Sequence, residues 1–260
     1  HMVRYDSLTG LPNRTYFAEL VQDALAERKK PGTVGFMVLD VDDFKHANDM
    51  KGHVTGDRLL CAIAERLRRL AGDRAIAGHL MGDEFILFFP NEANRRDLEA
   101  RMRRFHEQLR GNYEFDGMTL FVSFSAGSVT VASDDFRLEE MQIRADLALF
   151  ETKSRAKGSF TLFEQEMDAR YMDRQKLKDD LREALANNAL SVAYQPMFVP
   201  DGSRIECCEA LSRWTHPERG PVAPNVFIQI AEEMGIVSDI TRFMIMRACA
   251  DCASWPAHMG

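Results

Sequence analysis

The chain has 260 residues, 45% hydrophobic and 28% charged, enough for one large domain or two small ones with a buried core. Lys+Arg 33 against Asp+Glu 40 leaves a formal charge of −7, which argues against a nucleic-acid polymer as partner, because that needs a basic footprint. A small phosphorylated ligand held by a metal and a few lysines stays open, and no run approaches the ~20 apolar residues that span a bilayer.

Apolar spacing and turn residues divide the chain into alternating elements. After His1-Met2, which reads as a cloning remnant, residues 15–28 form an amphipathic pattern closed by Lys29-Lys30-Pro31-Gly32. The dense apolar run 34–41 reads as a buried strand ending among Asp40, Asp42 and Asp43. A helix is expected over 54–70, then two strands, 75–80 and 85–89, joined by Met81-Gly82-Asp83-Glu84. Residues 97–109 and 138–154 read as helices, 120–131 as one strand between them, and 160–163 as a short last strand. The stretch 164–187 turns into a long charged helix, with Met167, Tyr171, Leu177, Leu181 and Leu185 on one side, and reads as a connector. Beyond it come strand-like runs at 190–195 and 205–211, a Pro/Gly-rich loop over 215–224, and two more helices.

The chemistry gathers at the end of the first strand. Asp40 and Asp42 flank that end, and the hairpin link brings Asp83 and Glu84 to a neighbouring edge. Four carboxylates side by side repel unless a cation joins them, and hard oxygen ligands suit Mg²⁺. Acids after strands also serve as turn formers and helix caps, so spacing alone leaves both readings open. An EF-hand is excluded: its sixth position here is Lys45 and its twelfth Lys51. Asn48 and Asp57 lie either side of Gly52-His53 and Gly56. An amide and a carboxylate match a guanine edge, but more often are simply a turn Asn and an N-cap Asp. Lys153 and Lys157, four apart at a helix end, fit phosphate clamping or simple pairing with the helix dipole. Five cysteines at uneven spacing do not suggest a disulfide framework. Cys249-x-x-Cys252 falls in an amphipathic stretch and reads as buried thiols of a reduced, cytoplasmic chain.

Four segments follow in order: Asp6-Ser7-Leu8-Thr9-Gly10-Leu11-Pro12-Asn13-Arg14; DVDDFKHANDMKGHVTGD from Asp40 to Asp57; Met81-Gly82-Asp83-Glu84-Phe85; and Ala145-Asp146-Leu147-Ala148-Leu149-Phe150 with Lys153. Together they resemble the GGDEF family of diguanylate cyclases, with its DxLTGLPNR, DxDxFKxxNDxxGHxxGD, GGDEF and ADxALYxAK patterns. The resemblance covers residues 6–157. It implies an α/β domain over 1–165, related to the nucleotidyl-cyclase palm, with a mainly antiparallel sheet wrapped by helices. It also implies condensation of two GTP into cyclic di-GMP and two pyrophosphates, one GTP on each of two facing domains, hence a homodimer for catalysis. Asp40, Asp83 and the Val41 carbonyl are then expected to hold two Mg²⁺ per GTP site. Asn48 and Asp57 are expected to bind guanine, and Lys153 and Lys157 the terminal phosphates. Phe44, Lys45 and Gly82 join the substrate site, and Glu84 helps to activate the attacking 3′-hydroxyl. The sequence departs from the family pattern at Met81, which replaces the first signature glycine. His79 stands where an Arg is frequent, and Ala156-Lys157-Gly158 replaces a closing GRN. The product-inhibition Arg-x-x-Asp is absent from 72–75, so feedback by cyclic di-GMP there is not expected. Met81 leaves two expectations: a divergent cyclase, or a GTP-binding regulatory domain that controls an attached phosphodiesterase.

The tail carries Tyr194-Gln195-Pro196, Glu209-Ala210-Leu211-Ser212-Arg213-Trp214-Thr215-His216-Pro217, and Pro224 with Phe227 and Ala231-Glu232. These resemble the opening third of the EAL cyclic di-GMP phosphodiesterases, a TIM-like barrel that needs roughly 250 residues. The resemblance implies a metal ligand at Glu209 and dinucleotide contacts at Gln195 and Arg213. With residues 166–187 as connecting helix and 188–260 as a partial barrel, hydrolysis of cyclic di-GMP by this chain is not expected.

Overall fold

The structure, a computed structural model, describes residues 4–28, 30–200, 202–203 and 205–255, and the chain divides into two units, His1–Asp168 and Ala169–Gly260. In the first unit, Asn13 opens helix α1 (Arg14–Ala26) by accepting the Tyr16 N–H at 3.0 Å. Strand β1 (Thr33–Val41) is buried from Val34 onward, which explains its unbroken apolar run. Helices α2 (Phe44–Lys51) and α3 (His53–Ala71) are separated at Gly52. Strands β2 (Ile76–Met81) and β3 (Glu84–Glu92) make a hairpin, followed by helix α4 (Arg95–Leu109). Then come β4 (Gly111–Phe115), β5 (Met118–Val122), β6 (Phe124–Ala132), helix α5 (Leu138–Arg155) and β7 (Phe160–Leu162).

The main sheet runs β2-β3-β1-β6-β7, antiparallel except for the parallel β6–β7 pair. This is the helix-wrapped, mainly antiparallel α/β sheet expected from the sequence. Successive strand residues alternate between its faces. Val34, Phe36 and Val38 pack with Phe17 and Val21 of α1 and Met141 and Leu149 of α5. Met37, Leu39 and Val41 pack with Ile63 and Leu67 of α3 and Met102 of α4. Helix α5 lies directly on β6, and a Cβ on Gly127 would stand 2.0 Å from the Ala145 carbonyl oxygen.

Three local features differ from the sequence expectation. The strand expected over 120–131 is two strands, β5 and β6, separated at Ser123. Strands β4 and β5 form their own hairpin across Asp116 and Gly117, both at positive φ (49° and 74°), the geometry of a type I′ turn. Helix α2 was not expected: it has no buried residue and so leaves little apolar periodicity to read.

In the second unit, helix α6 (Glu166–Ala186) leads into β8 (Leu190–Phe198), β9 (Ile205–His216) and β10 (Gly220–Val222), ordered β10-β9-β8 and antiparallel. The short β10 lies inside the stretch read as a loop. Helices α7 (Pro224–Met234) and α8 (Val237–Cys252) follow. Leu177, Leu181, Leu190, Trp214, Phe227, Ile230 and Ile240 form the core. Cys249 and Cys252 are exposed, contrary to the buried thiols expected. The packed side of α8 is carried by Ile240, Phe243 and Met244, and both cysteines fall off that stripe. Among the described residues no helix is long and apolar enough to cross a membrane.

Candidate active site

Strand alternation sends Asp40 to the same face as Phe36 and Val38, toward α5. Its partners across the sheet are Glu84 on β3 and Ser125 on β6. Lys153, in the last turn of α5, places Nζ 2.6 Å from Asp40 Oδ2. Burial pushes the Asp40 carboxyl above its ordinary value, Lys153 pulls it back, and the negative charges of Asp83 and Glu84 push it up further. The Asp83 carbonyl accepts the Val41 N–H at 3.3 Å, so the hairpin turn is held against the end of β1.

Asp42 is tied in a different direction. Its backbone N–H donates to the Ser123 carbonyl at 3.1 Å, and its carboxylate accepts from the Ser123 and Ser125 hydroxyls at 2.8 and 2.6 Å. The Gly158 N–H donates to the same Ser125 oxygen at 3.2 Å. This network binds the loop after β1, the start of β6 and the loop after α5 into one support. Ser123 and Ser125 escaped the sequence reading. They lie more than eighty residues from Asp42, and only the β1–β6 pairing brings them together. Lys157 donates to Asp43 Oδ1 at 2.6 Å. That hydrogen bond lowers the Asp43 carboxyl below its ordinary value and raises the Lys157 ammonium above its own.

The expected gathering of four carboxylates is therefore partial, because Asp42 serves the support. Among the described residues no three His, Cys, Asp or Glu side chains are arranged as a cation cage. Mg²⁺ is commonly held by only one or two carboxylates, with water and substrate phosphates completing its shell. The desolvated Asp40 carboxylate, within the fields of Asp83 and Glu84, fits that demand.

Asn48 and Phe44 of α2 face Gly56 of α3. A Cβ on Gly56 would stand 1.8 Å from Asn48 Oδ1 and 3.2 Å from the Phe44 ring, so any larger residue there displaces the Asn48 side chain from this position. Among the described residues Asn48 Oδ1 is buried with no hydrogen-bond partner, an unmet polar group of the kind a ligand satisfies. Asp57 and Lys45 are exposed beside it.

The signature turn itself is Gly82–Asp83, with positive φ at Gly82 (57°) and not at Asp83, the pattern of a II′ hairpin. Met81 has no positive φ and is 71% exposed, so replacement of the first signature glycine does not strain the turn. The buried His79 places Nε2 3.0 Å from the Gly82 carbonyl and Nδ1 3.1 Å from Asp6 Oδ1, linking the turn to the opening segment. Near 72–75, Arg74, Arg101 and Arg104 line a cavity of about 310 Å³ that includes Ala75 and no carboxylate.

Asp146 is exposed as a residue, yet protein packed around its carboxyl pushes its pKa up to about 6, with Glu84 adding to the rise and Arg14 opposing it. A carboxyl raised in the folded state stabilises it at low pH and loses that contribution as pH rises through the folded value. Asp146→Asn does not ionise. Its melting temperature relative to the parent chain is therefore expected to rise as pH climbs from 3.8 to beyond about 6. Thermal unfolding across that range checks it, and a pH-independent difference contradicts it.

In the second unit Gln195 and Glu209 are direct cross-strand partners, and Arg213 pairs with Ser191 on the same sheet face. Gln195 and Glu209 are exposed, whereas Arg213 is half-buried and donates to the Ser212 carbonyl at 2.9 Å.

Comparison with known proteins agrees with both segments. The family profile described as "Diguanylate cyclase, GGDEF domain" matches residues 3–159, and the profile described as "EAL domain" matches 178–260. The cyclic di-GMP phosphodiesterase NbdA of Pseudomonas aeruginosa is 33% identical over 256 residues, which are 97% of this chain and 32% of that protein. The bifunctional diguanylate cyclase/cyclic di-GMP phosphodiesterase MucR of the same organism is 31% identical over 254 residues, 96% of this chain and 37% of that protein. The chain thus spans about a third of the length of these relatives. The crystal structure of the GGDEF domain of DgcB from Caulobacter crescentus, in complex with c-di-GMP, superposes with a TM-score of 0.53 at 26% identity. It covers 62% of this chain and 96% of that one. With the sheet order, the signature turn and the strand-end carboxylates in place, the chain belongs to the GGDEF family, and its second unit is the beginning of an EAL domain.

Proposed function

We propose that residues 1–165 form a Mg²⁺-dependent diguanylate cyclase domain that condenses two GTP into cyclic di-GMP and two pyrophosphates. Residues 166–187 then act as its connecting helix, and 188–260 as the start of a phosphodiesterase barrel. The observation that carries this reading is the convergence of Asp40, Lys153 and the Gly82–Asp83 turn at one end of β1. Asp40 and Asp83, with the Val41 carbonyl, hold Mg²⁺. When bound, the metal polarises the α-phosphate and stabilises the attacking 3′-oxygen. Asn48 and Asp57 read guanine, with Phe44, Lys45 and Gly82 around the nucleotide. Lys153 and Lys157 take the terminal phosphates, and Glu84, across from Asp40, accepts the 3′-hydroxyl proton. One domain holds one GTP, so two copies of the chain face each other for turnover. The domain works in the cytoplasm, as part of a longer protein of cyclic di-GMP turnover. The partial barrel does not hydrolyse cyclic di-GMP by itself.

A second reading, a GTP-binding regulatory domain without turnover, is favoured by the exposed Met81 side chain at the signature turn. Incubation with GTP and Mg²⁺ followed by chromatography separates the two. The cyclase reading predicts cyclic di-GMP that disappears in Asp83→Ala. Saturable GTP binding without product supports the regulatory reading instead.

A further inference from the structure

Both lysines assigned to phosphate sit on acids at the end of β1 and just beyond it: Lys153 on Asp40 and Lys157 on Asp43, each at 2.6 Å. We propose that Lys153 makes divalent-cation binding conditional on a phosphorylated ligand, because its ammonium holds Oδ2, one of the two Asp40 oxygens open to a cation. This inference rests on the reading above in taking Asp40 as a metal ligand and Lys153 as a phosphate ligand.

Mg²⁺ coordinates a carboxylate oxygen at about 2.0–2.1 Å. An ammonium 2.6 Å from Asp40 Oδ2 and a divalent cation on the same carboxylate repel each other, so each weakens the other's hold on Asp40. Among the described residues Lys153 is the only side chain in an ion pair with Asp40. The Asp40 side chain is only 12% exposed, so water screens the pair poorly from that side. Lys153 is 40% exposed, at the end of α5, on a flexible four-carbon stem. It therefore has freedom to leave for an anion, but little reason to do so without one.

A terminal phosphate supplies that anion. It draws Lys153 from Asp40 and brings oxygens of its own to the cation, so metal and triphosphate favour each other's entry. Linkage makes the effect reciprocal: the metal tightens the nucleotide by the factor by which the nucleotide tightens the metal. A guanine nucleotide without terminal phosphates does not reach Lys153 and leaves the cation excluded. Lys153 thereby selects for the triphosphate, in addition to any attraction it exerts on the bound phosphates.

The test is calorimetric titration of Mn²⁺ into the full chain, for the parent and Lys153→Met, alone and with the non-reacting analogue α,β-methylene-GTP or with GMP. Without nucleotide, Lys153→Met is expected to bind Mn²⁺ about tenfold more tightly than the parent, one neighbouring positive charge being removed. In the parent, the triphosphate analogue tightens Mn²⁺ and GMP does not. In the variant, the gain from the analogue shrinks. Lys153→Gln serves as a second variant should Lys153→Met fold poorly. Equal Mn²⁺ affinity of parent and variants without nucleotide overturns the proposal. Failure of the parent to bind the analogue at any Mn²⁺ concentration strikes the functional reading instead, and the nucleotide-free comparison still decides the role of Lys153.

Discussion

Asp40→Asn is expected to lower cyclic di-GMP formation at saturating GTP by at least about a hundredfold, the scale seen when one preorganised electrostatic group leaves an active site. The amide keeps the shape of the side chain but loses the charge that a hard divalent cation requires. Stability is expected to change little. The attraction lost with the Asp40–Lys153 pair is offset because a neutral amide does not carry the cost of a charge desolvated inside the sheet. Steady-state product formation and a melting curve on the same preparation check both halves. A variant that keeps a tenth or more of the activity contradicts the role given to Asp40. A variant that unfolds instead shows Asp40 to be a structural residue.

Gly127→Ala is expected to be the most destabilising small change in the first unit. Its Cβ would meet three backbone atoms of α5: the Ala145 carbonyl oxygen at 2.0 Å, the Leu149 nitrogen at 2.2 Å and the Leu149 Cα at 2.8 Å. No rotamer relieves such contacts, so the helix has to lift from the sheet. Overpacking of this kind costs about 3 kcal/mol or more, equivalent to a fall in melting temperature of about 6–12 °C for a unit of this size. Lys153 lies on the same helix as Ala145 and Leu149, so activity falls with stability. Gly35→Ala is the contrast. There the added Cβ meets the Met102 Sδ at 2.6 Å and the ends of flexible side chains, which can move aside. Thermal unfolding of the two variants tests the order, and a smaller loss for Gly127→Ala than for Gly35→Ala reverses it.

The residues that were legible in the sequence are those whose signal is local. The run Val34 to Val41 announced a buried central strand because both of its faces are covered. The acids at its end stood out because charges are rare beside such a run. The hairpin 81–84 was readable from its Gly-Asp pair, and the turn geometry bears that reading out. Asp116-Gly117 carries a hairpin signal of the same local kind, and β4 and β5 flank it, although the apolar spacing on its N-terminal side is too sparse to mark β4 as a strand. The break at Ser123 had no such cue: no Gly or Pro marks it, and the tertiary pull of Asp42 on that segment is invisible locally. The two serines under Asp42, the His79 link between Asp6 and the signature turn, and the lysine–aspartate pairs all depend on contacts between distant segments. A single sequence does not encode those contacts as a pattern. Met81 is the converse case. It departs from the motif as a letter, yet the positive φ of the turn belongs to Gly82, so the departure rests on its exposed side chain and not on the backbone.

Under both readings of turnover, the carboxylates and lysines at the end of β1 are proposed to form a Mg²⁺-dependent site for GTP. Calorimetric titration of α,β-methylene-GTP into the full chain, with Mg²⁺ and with excess chelator, tests it most directly. One nucleotide per chain is expected, with affinity reduced about tenfold or more when the metal is removed and no competition from the adenine counterpart. Binding that is indifferent to Mg²⁺, or equal for guanine and adenine nucleotides, contradicts it.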